Sequence, residues 1–169
     1  AENSDPSEDN KAIIGNGMPK MFAALQANYR WKGLDVSVSF RGAFGFDILN
    51  AYRMKYETLA WLSSFNVPKS AYQKVGEYYN FAPSIYSDRY IESGDYVKLD
   101  NLTIGYTFDL SQRNKVIRSI RVFCTGMNLL TISGYSGLDP EVAIVGLTSG
   151  VDPINKYPNL RSYIVGASF

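Results

Sequence analysis

The stretch MFAALQANYRWKGLDVSVSFRGAFGFD, residues 21–47, decides the fold. Apolar residues occupy alternate positions, first over residues 21–31 and then over residues 34–46, with mostly polar or small residues between them. Alternation with a period of two is typical of a β-strand with one apolar face, whereas a helix would scatter the same residues around its circumference. Because Lys32-Gly33 separates the two halves, the stretch predicts two antiparallel strands joined by a tight turn.

The same alternation recurs in three later segments, which together predict an all-β chain with five antiparallel strands. The predicted strands are residues 20–31, 34–46, 95–108, 117–127 and 161–169. Most exceed the usual strand length of about 5–6 residues and approach the roughly 9–11 residues that cross a bilayer at a tilt. This length favours a transmembrane β-barrel.

The predicted connections alternate between short and long, as they do in outer-membrane barrels, which place short turns on the periplasmic side and long loops outside. The two long connections are residues 48–95 and 128–161. Mixed spacing over residues 48–62 predicts a short helix in the first of them. The second is rich in Gly, Pro, Asp and Ser, so we expect turns to dominate it.

Composition removes several classes of function from consideration. The 169 residues contain no histidine, which excludes Ser-His and Cys-His nucleophiles and makes a zinc enzyme improbable. Cys124 is the only cysteine, so there is no internal disulfide and no CxxC motif. The formal charge of +1 gives no basic field for a nucleic-acid partner. We therefore expect no enzymatic activity, no cofactor and no metal, while the 13 tyrosines suit a boundary between water and lipid.

Four ordered blocks of sequence resemble the C-terminal end of SusC/RagA-type TonB-dependent outer-membrane transporters. The blocks are IGNGMPKMF (residues 14–22), SDRYIESGDYVKLDNLTIGYTF (87–108), IRVFCTGMNLLTISGYSGLDPEV (120–142) and YPNLRSYIVGASF (157–169). The resemblance implies a 22-stranded barrel in the bacterial outer membrane, of which this chain supplies the last five strands. On that basis residues 1–19 end an extracellular loop and residues 20–169 belong to the barrel wall.

The resemblance also implies a function and a set of partners. It implies a nutrient importer that takes up oligosaccharides or peptides with a SusD-like surface lipoprotein. TonB would act through an N-terminal region that, like the plug domain, is absent from this chain. The other partners implied are the remaining barrel strands and outer-membrane lipid. A soluble all-β binding module with tyrosine-rich loops is the alternative.

Candidate site residues lie on the polar rows of the strands and in the second long loop. The candidate substrate-binding residues are Tyr135, Asp139, Glu141, Asp152, Tyr157, Arg41 and Arg121. Aromatic rings and carboxylates could contact sugars or peptide amines, although Asp139-Pro140 and Asp152-Pro153 also suit turn starts. Loop carboxylates could alternatively bind calcium, but no EF-hand spacing is present. The barrel-assembly signal implied by the resemblance consists of Tyr163, Val165 and the terminal aromatic Phe169.

Overall fold

The computed structural model describes residues 11–73, 86–111, 117–142, 147–157 and 159–169. Its strands are β1 (Met21–Trp31), β2 (Leu34–Phe44), β3 (Asp47–Asn50), β4 (Ile91–Ser93), β5 (Tyr96–Asp109), β6 (Ser119–Ser133), β7 (Val151–Asp152) and β8 (Ser162–Ser168). Its helices are α1 (Ala51–Tyr56), α2 (Lys69–Gln73) and two 3-10 turns, Leu59–Trp61 and Asp88–Tyr90. In the described part of the chain, no helix is long and apolar enough to cross a membrane.

The main sheet has five strands in the order β1-β2-β5-β6-β8, and every neighbouring pair is antiparallel. The predicted all-β class and five-stranded antiparallel sheet are therefore confirmed. Strands that follow one another in the main sheet are also neighbours in space. As a result the short connections, including Lys32-Gly33, lie at one end of the sheet, here called the turn end, and the long connections lie at the loop end.

The strand register aligns the alternating residues into rows across all five strands. One row is Tyr29, Val36, Ile104, Cys124 and Val165, and the adjacent row is Asn28, Ser37, Thr103, Thr125 and Ile164. Because successive side chains point to opposite faces, the first row belongs to an apolar face and the second to a mostly polar face. The alternation of apolar and polar residues along each strand thus gives the whole sheet one apolar face and one mostly polar face.

The tight turn between β1 and β2 needs backbone conformations that few residues adopt. Lys32 has φ 43° and Gly33 has φ 88°. Two central residues with positive φ define the type I′ turn that matches the twist of a hairpin. The Gly33 carbonyl also accepts a hydrogen bond from the Thr107 N–H at 2.8 Å, which ties the turn to β5.

Most strand ends differ from the predicted ones by one or two residues, and β6 ends six residues later than predicted. Two of these differences have a visible cause in the backbone. The second strand ends at Phe44 and not at residue 46, because Gly45 takes φ 74° and its N–H donates to the Asp95 carboxylate at 2.6 Å. The fourth strand, β6, continues to Ser133, past the predicted end at residue 127. Asn128 has φ 53° and lies where the register with β5 shifts. A polar residue at this position, followed by two leucines, interrupts the alternation, which resumes at Leu130 and Ile132.

The long connections build a second, smaller sheet at the loop end. In it β3 pairs antiparallel with β4 and parallel with β7, which joins the first long connection to the second. The predicted short helix is present as α1, whose first turn is capped by the Asn50 side chain accepting from the Arg53 N–H at 3.0 Å. The second connection contributes the two-residue strand β7 to this sheet.

The buried core lies at the loop end and not beneath the apolar face of the main sheet. Its residues are Ala43, Phe46, Ile48, Tyr135 and Val142, with Tyr96 packed against them. By contrast, large side chains of the apolar face are exposed, among them Leu25, Tyr29, Trp31, Ile104, Ile132 and Val165. Monomeric soluble proteins rarely expose continuous apolar surface on this scale, so this face is suited to contact with lipid or another apolar surface.

Candidate functional site

A cluster of ion pairs joins the polar face of the main sheet to the second long connection. The members of this loop-end ion cluster are Arg41, Lys98, Asp100, Asp139, Glu141, Lys156 and Asn159. Arg41 and Lys98 are cross-strand partners in β2 and β5. The two carboxylates that face them come from the loop after β6.

Lys98 is the centre of the loop-end ion cluster. Its side chain is only 1% exposed, and its ammonium lies 2.9 Å and 3.1 Å from the two Asp139 carboxylate oxygens. The same ammonium donates to Glu141 Oε2 at 2.9 Å. A lysine is rarely buried unless it is paired, and these three contacts use all three of its donors.

Arg41 contacts one of these two carboxylates, Glu141, and also Asp100. Its guanidinium pairs with both Glu141 oxygens, with Nη2 3.2 Å from Oε2, and its Nε lies 3.0 Å from Asp100 Oδ1. Lys156 donates to the backbone carbonyls of Asp139 and Glu141. The loop segment is thus held by cations from β2, β5 and a later part of its own connection.

The environment keeps the two loop carboxylates ionised. Burial alone would raise the pKa of Asp139, but the Glu141 backbone N–H and the Lys98 ammonium outweigh it and hold that pKa below its usual value. For Glu141, burial is likewise outweighed by Lys98 and Arg41, and its pKa is also lowered. Asp139 is enclosed, whereas the Glu141 side chain keeps 26% of its surface exposed. Of the two loop carboxylates, Glu141 is therefore the one that a solute can reach.

A second polar network lies beside the core at the loop end. The Tyr135 hydroxyl donates to Asp152 at 2.5 Å, and burial together with this bond raises the pKa of Tyr135. Glu92 accepts from Arg53 at 2.5 Å and from the Ser136 N–H at 2.7 Å. Burial would raise the pKa of Glu92, but these bonds lower it. The network ties β4, α1 and β7 to residues 135 and 136 at the start of the second connection.

A separate ion pair spans the polar face near the turn end. Arg121 on β6 donates to Asp35 on β2 through Nε at 2.9 Å and Nη2 at 2.5 Å. The strand between them carries Gly105, where an added Cβ would lie 2.6 Å from Arg121 Nη2 and 2.7 Å from an Asp35 oxygen. Glycine is thus required for the pair to close across β5. A cavity of about 470 Å³ beside the pair is lined also by Arg30 and Lys32.

The structure brings some of the predicted site residues together and separates others. Arg41, Asp139 and Glu141 meet in the loop-end ion cluster, and Tyr135 meets Asp152 in the second network. Arg121 lies near the turn end, away from both groups, and Tyr157 is exposed. Whether any of these residues binds a substrate stays a prediction.

The residues of the predicted assembly signal lie at the last edge of the sheet. Tyr163 and Val165 are exposed on the apolar face of β8. Phe169 follows the end of β8 and is 94% exposed. Their role in assembly stays a prediction.

Sequence reasoning missed Lys98, the residue with the most contacts to the loop carboxylates. The only sequence signal for it was the more polar first half of the third predicted strand. Among the described residues, no group of three or more metal-binding side chains is placed to hold an ion.

The sequence is similar to curated proteins that are each named TonB-dependent receptor. It is 26% identical to TonB-dependent receptor P3 of Formosa agariphila, over 97% of this chain and 18% of the relative. It is 27% identical to TonB-dependent receptor SusC of Bacteroides thetaiotaomicron, over 85% of this chain and 14% of the relative. The chain therefore spans less than a fifth of the length of these relatives. No protein-family profile matches it.

The fold is similar to one segment of a solved transporter. The RagAB peptide importer in its closed-closed state matches 98% of this chain and 19% of its own with a TM-score of 0.74 and 24% identity. In the open-open state the TM-score is 0.71 at 25% identity. The two-faced antiparallel sheet thus has the fold of about a fifth of that chain. In sequence and in fold, the chain is thus similar to a segment of SusC/RagA-type TonB-dependent transporters.

Proposed function

We propose that this chain forms part of the wall of an outer-membrane, TonB-dependent nutrient importer of bacteria. Its apolar face contacts lipid, its polar face lines the interior, and its long connections lie outside the cell. Residues 20–169 belong to the wall and residues 1–19 end an extracellular loop; residues 1–10 lie outside the described part of the chain. The proposal assigns no catalytic step to the chain, in keeping with relatives that are named receptors and importers.

The observation that carries the proposal is the pair of opposite faces on one sheet. Rows of apolar side chains run in register across five strands and are exposed, while polar side chains fill the rows between them. Transmembrane barrels alternate apolar-out and polar-in along each strand. A soluble binding module would have to cover the apolar face, and in the described residues the core lies elsewhere.

The proposed cargo and partners follow from the relatives. Similarity to a receptor named SusC and to a peptide importer supports oligosaccharides or peptides as the solute class. A SusD-like surface lipoprotein is proposed as the partner at the loop end, and TonB as the source of energy through another part of the full-length protein. Glu141 and Tyr157 are the proposed contacts for solute, because both keep exposed polar groups at the loop end.

Cell fractionation tests the proposal against a soluble binding module. We expect the protein to pellet with outer membranes, to resist washing at high salt and alkaline pH, and to enter solution only in detergent. The denatured mass should be far above the 18.9 kDa of this chain, or fragments should complete a transporter. A monodisperse 18.9 kDa protein that stays in detergent-free buffer would overturn the proposal.

A further inference from the structure

The start of the second long connection folds back over the polar face of the sheet. Arg41 and Lys98 are partners on that face, and their side chains contact Asp139 and Glu141. Ala43 and Tyr96, the next pair along the same face, pack with Tyr135 and Val142. Both an ionic and an apolar contact therefore hold residues 134–142 on the polar side.

We propose that residues 134–142 form an inward-folded loop that narrows the barrel interior, and that Lys98 and Arg41 are the positioning residues that hold it. The inference rests on the proposed function, because the polar face is the interior only if the sheet is a barrel wall. The inference adds to that function that residues 134–142 of the second long connection turn into the barrel and do not extend away from it.

The charges of the loop-end ion cluster balance. Lys98, Arg41 and Lys156 supply three positive charges, and Asp100, Asp139 and Glu141 supply three negative charges. Within the cluster, both oxygens of Asp139 accept from Lys98, and its neighbour Pro140 limits the backbone between the two carboxylates. A charge-neutral network of this kind fixes geometry at its enclosed centre, since removing Lys98 leaves Asp139 enclosed without its main partner.

The anchored loop exposes a large apolar side chain between its fixed points. Leu138 lies between Tyr135 and Asp139 and is 73% exposed, whereas Val142 on the anchored side is 5% exposed. Detachment of the loop would expose Val142 and leave the exposure of Leu138 almost unchanged. This difference provides a direct readout of the loop position.

Thiol labelling of the full-length transporter in intact outer membranes tests the proposal. In a cysteine-free background that includes Cys124→Ser, Val142→Cys should react slowly with a membrane-impermeant maleimide and Leu138→Cys should react fast. Adding Lys98→Met should raise the Val142→Cys rate by about tenfold or more, because the remaining charges lose their buried partner. Lys98→Arg should restore most of the protection, since it keeps the positive charge.

Arg121→Met is the matched control, because it breaks an ion pair on the same face without touching the loop. It should leave the Val142→Cys rate unchanged. If Lys98→Met lowers the amount of folded barrel, the variant Glu141→Gln is used in place of Lys98→Met, because Lys98 keeps its contact with Asp139 in that variant. Two results would overturn the inference. One is an equal Val142→Cys labelling rate in all variants, and the other is a Val142→Cys rate that equals the Leu138→Cys rate while Lys98 is still present. Failure of the protein to fractionate with membranes would overturn the proposed function instead.

Discussion

Replacing Lys98 with methionine is expected to lower the free energy of unfolding of the full-length transporter by about 3–5 kcal/mol. Methionine has a similar length but no charge, so Asp139 and Glu141 lose the ammonium that lies 2.9 Å from each. Asp139 is the more affected, because it is enclosed and both its oxygens accept from Lys98. Denaturant unfolding in lipid vesicles, followed by tryptophan fluorescence, measures the change.

Two further variants separate the contribution of the ion pair to the free energy of unfolding from the effect of lost packing. Lys98→Met combined with Asp139→Asn should cost less than the sum of the single changes, because the double variant removes both buried charges. Arg121→Met should lower the free energy of unfolding much less than Lys98→Met does, since its ion pair is more exposed than that of Lys98. Additive single and double variants would show that Lys98 and Asp139 are not coupled.

Replacing Val38 with arginine is expected to cost about 2–4 kcal/mol, the penalty for a cation on the lipid face near the middle of a barrel wall. Val38 lies near the middle of β2 on the apolar face, in a row with Ala27, Leu102, Gly126 and Tyr163. The same unfolding experiment in vesicles gives the value. The expected loss of stability arises because the cation is placed in lipid, and not because the strand itself changes.

Ser37→Arg is the control for Val38→Arg, because it places the same side chain one residue away on the polar face. We expect it to cost about 0.5 kcal/mol or less, as for substitutions in contact with water. Similar losses of unfolding free energy for Val38→Arg and Ser37→Arg would mean that the two faces of the sheet have similar surroundings.

The sequence predicted the main sheet because a strand with one apolar face has a period of two that no helix reproduces. Prediction failed where the backbone departs from that period. Asn128 takes a positive φ where the register shifts, and this polar residue followed by two leucines interrupts the alternation before it resumes at Leu130, so the continuation of β6 to Ser133 was missed. Gly45 ended β2 early for a related reason, a positive φ that fits no extended strand.

The candidate site was only partly predictable, because its members are distant in sequence. Arg41, Asp139 and Glu141 were chosen singly for their chemistry, and the pairing of β2, β5 and the folded-back loop brings them together. Lys98 was missed because a polar residue in a predicted strand gives no sign of a partner 41 residues later. Burial and pairing are properties of the tertiary structure, and one sequence does not encode them locally.

The central claim, that the apolar face contacts lipid and the polar face does not, is tested most directly at Cys124 and its neighbour Thr125. The two residues lie side by side in β6 on opposite faces, and Cys124 is exposed. In the full-length transporter with its other cysteines replaced, a fluorophore on Cys124 should be strongly quenched by brominated lipid in vesicles. The same fluorophore on Thr125→Cys, combined with Cys124→Ser, should show little quenching. Equal quenching at the two positions, or stronger quenching at residue 125, would contradict the account.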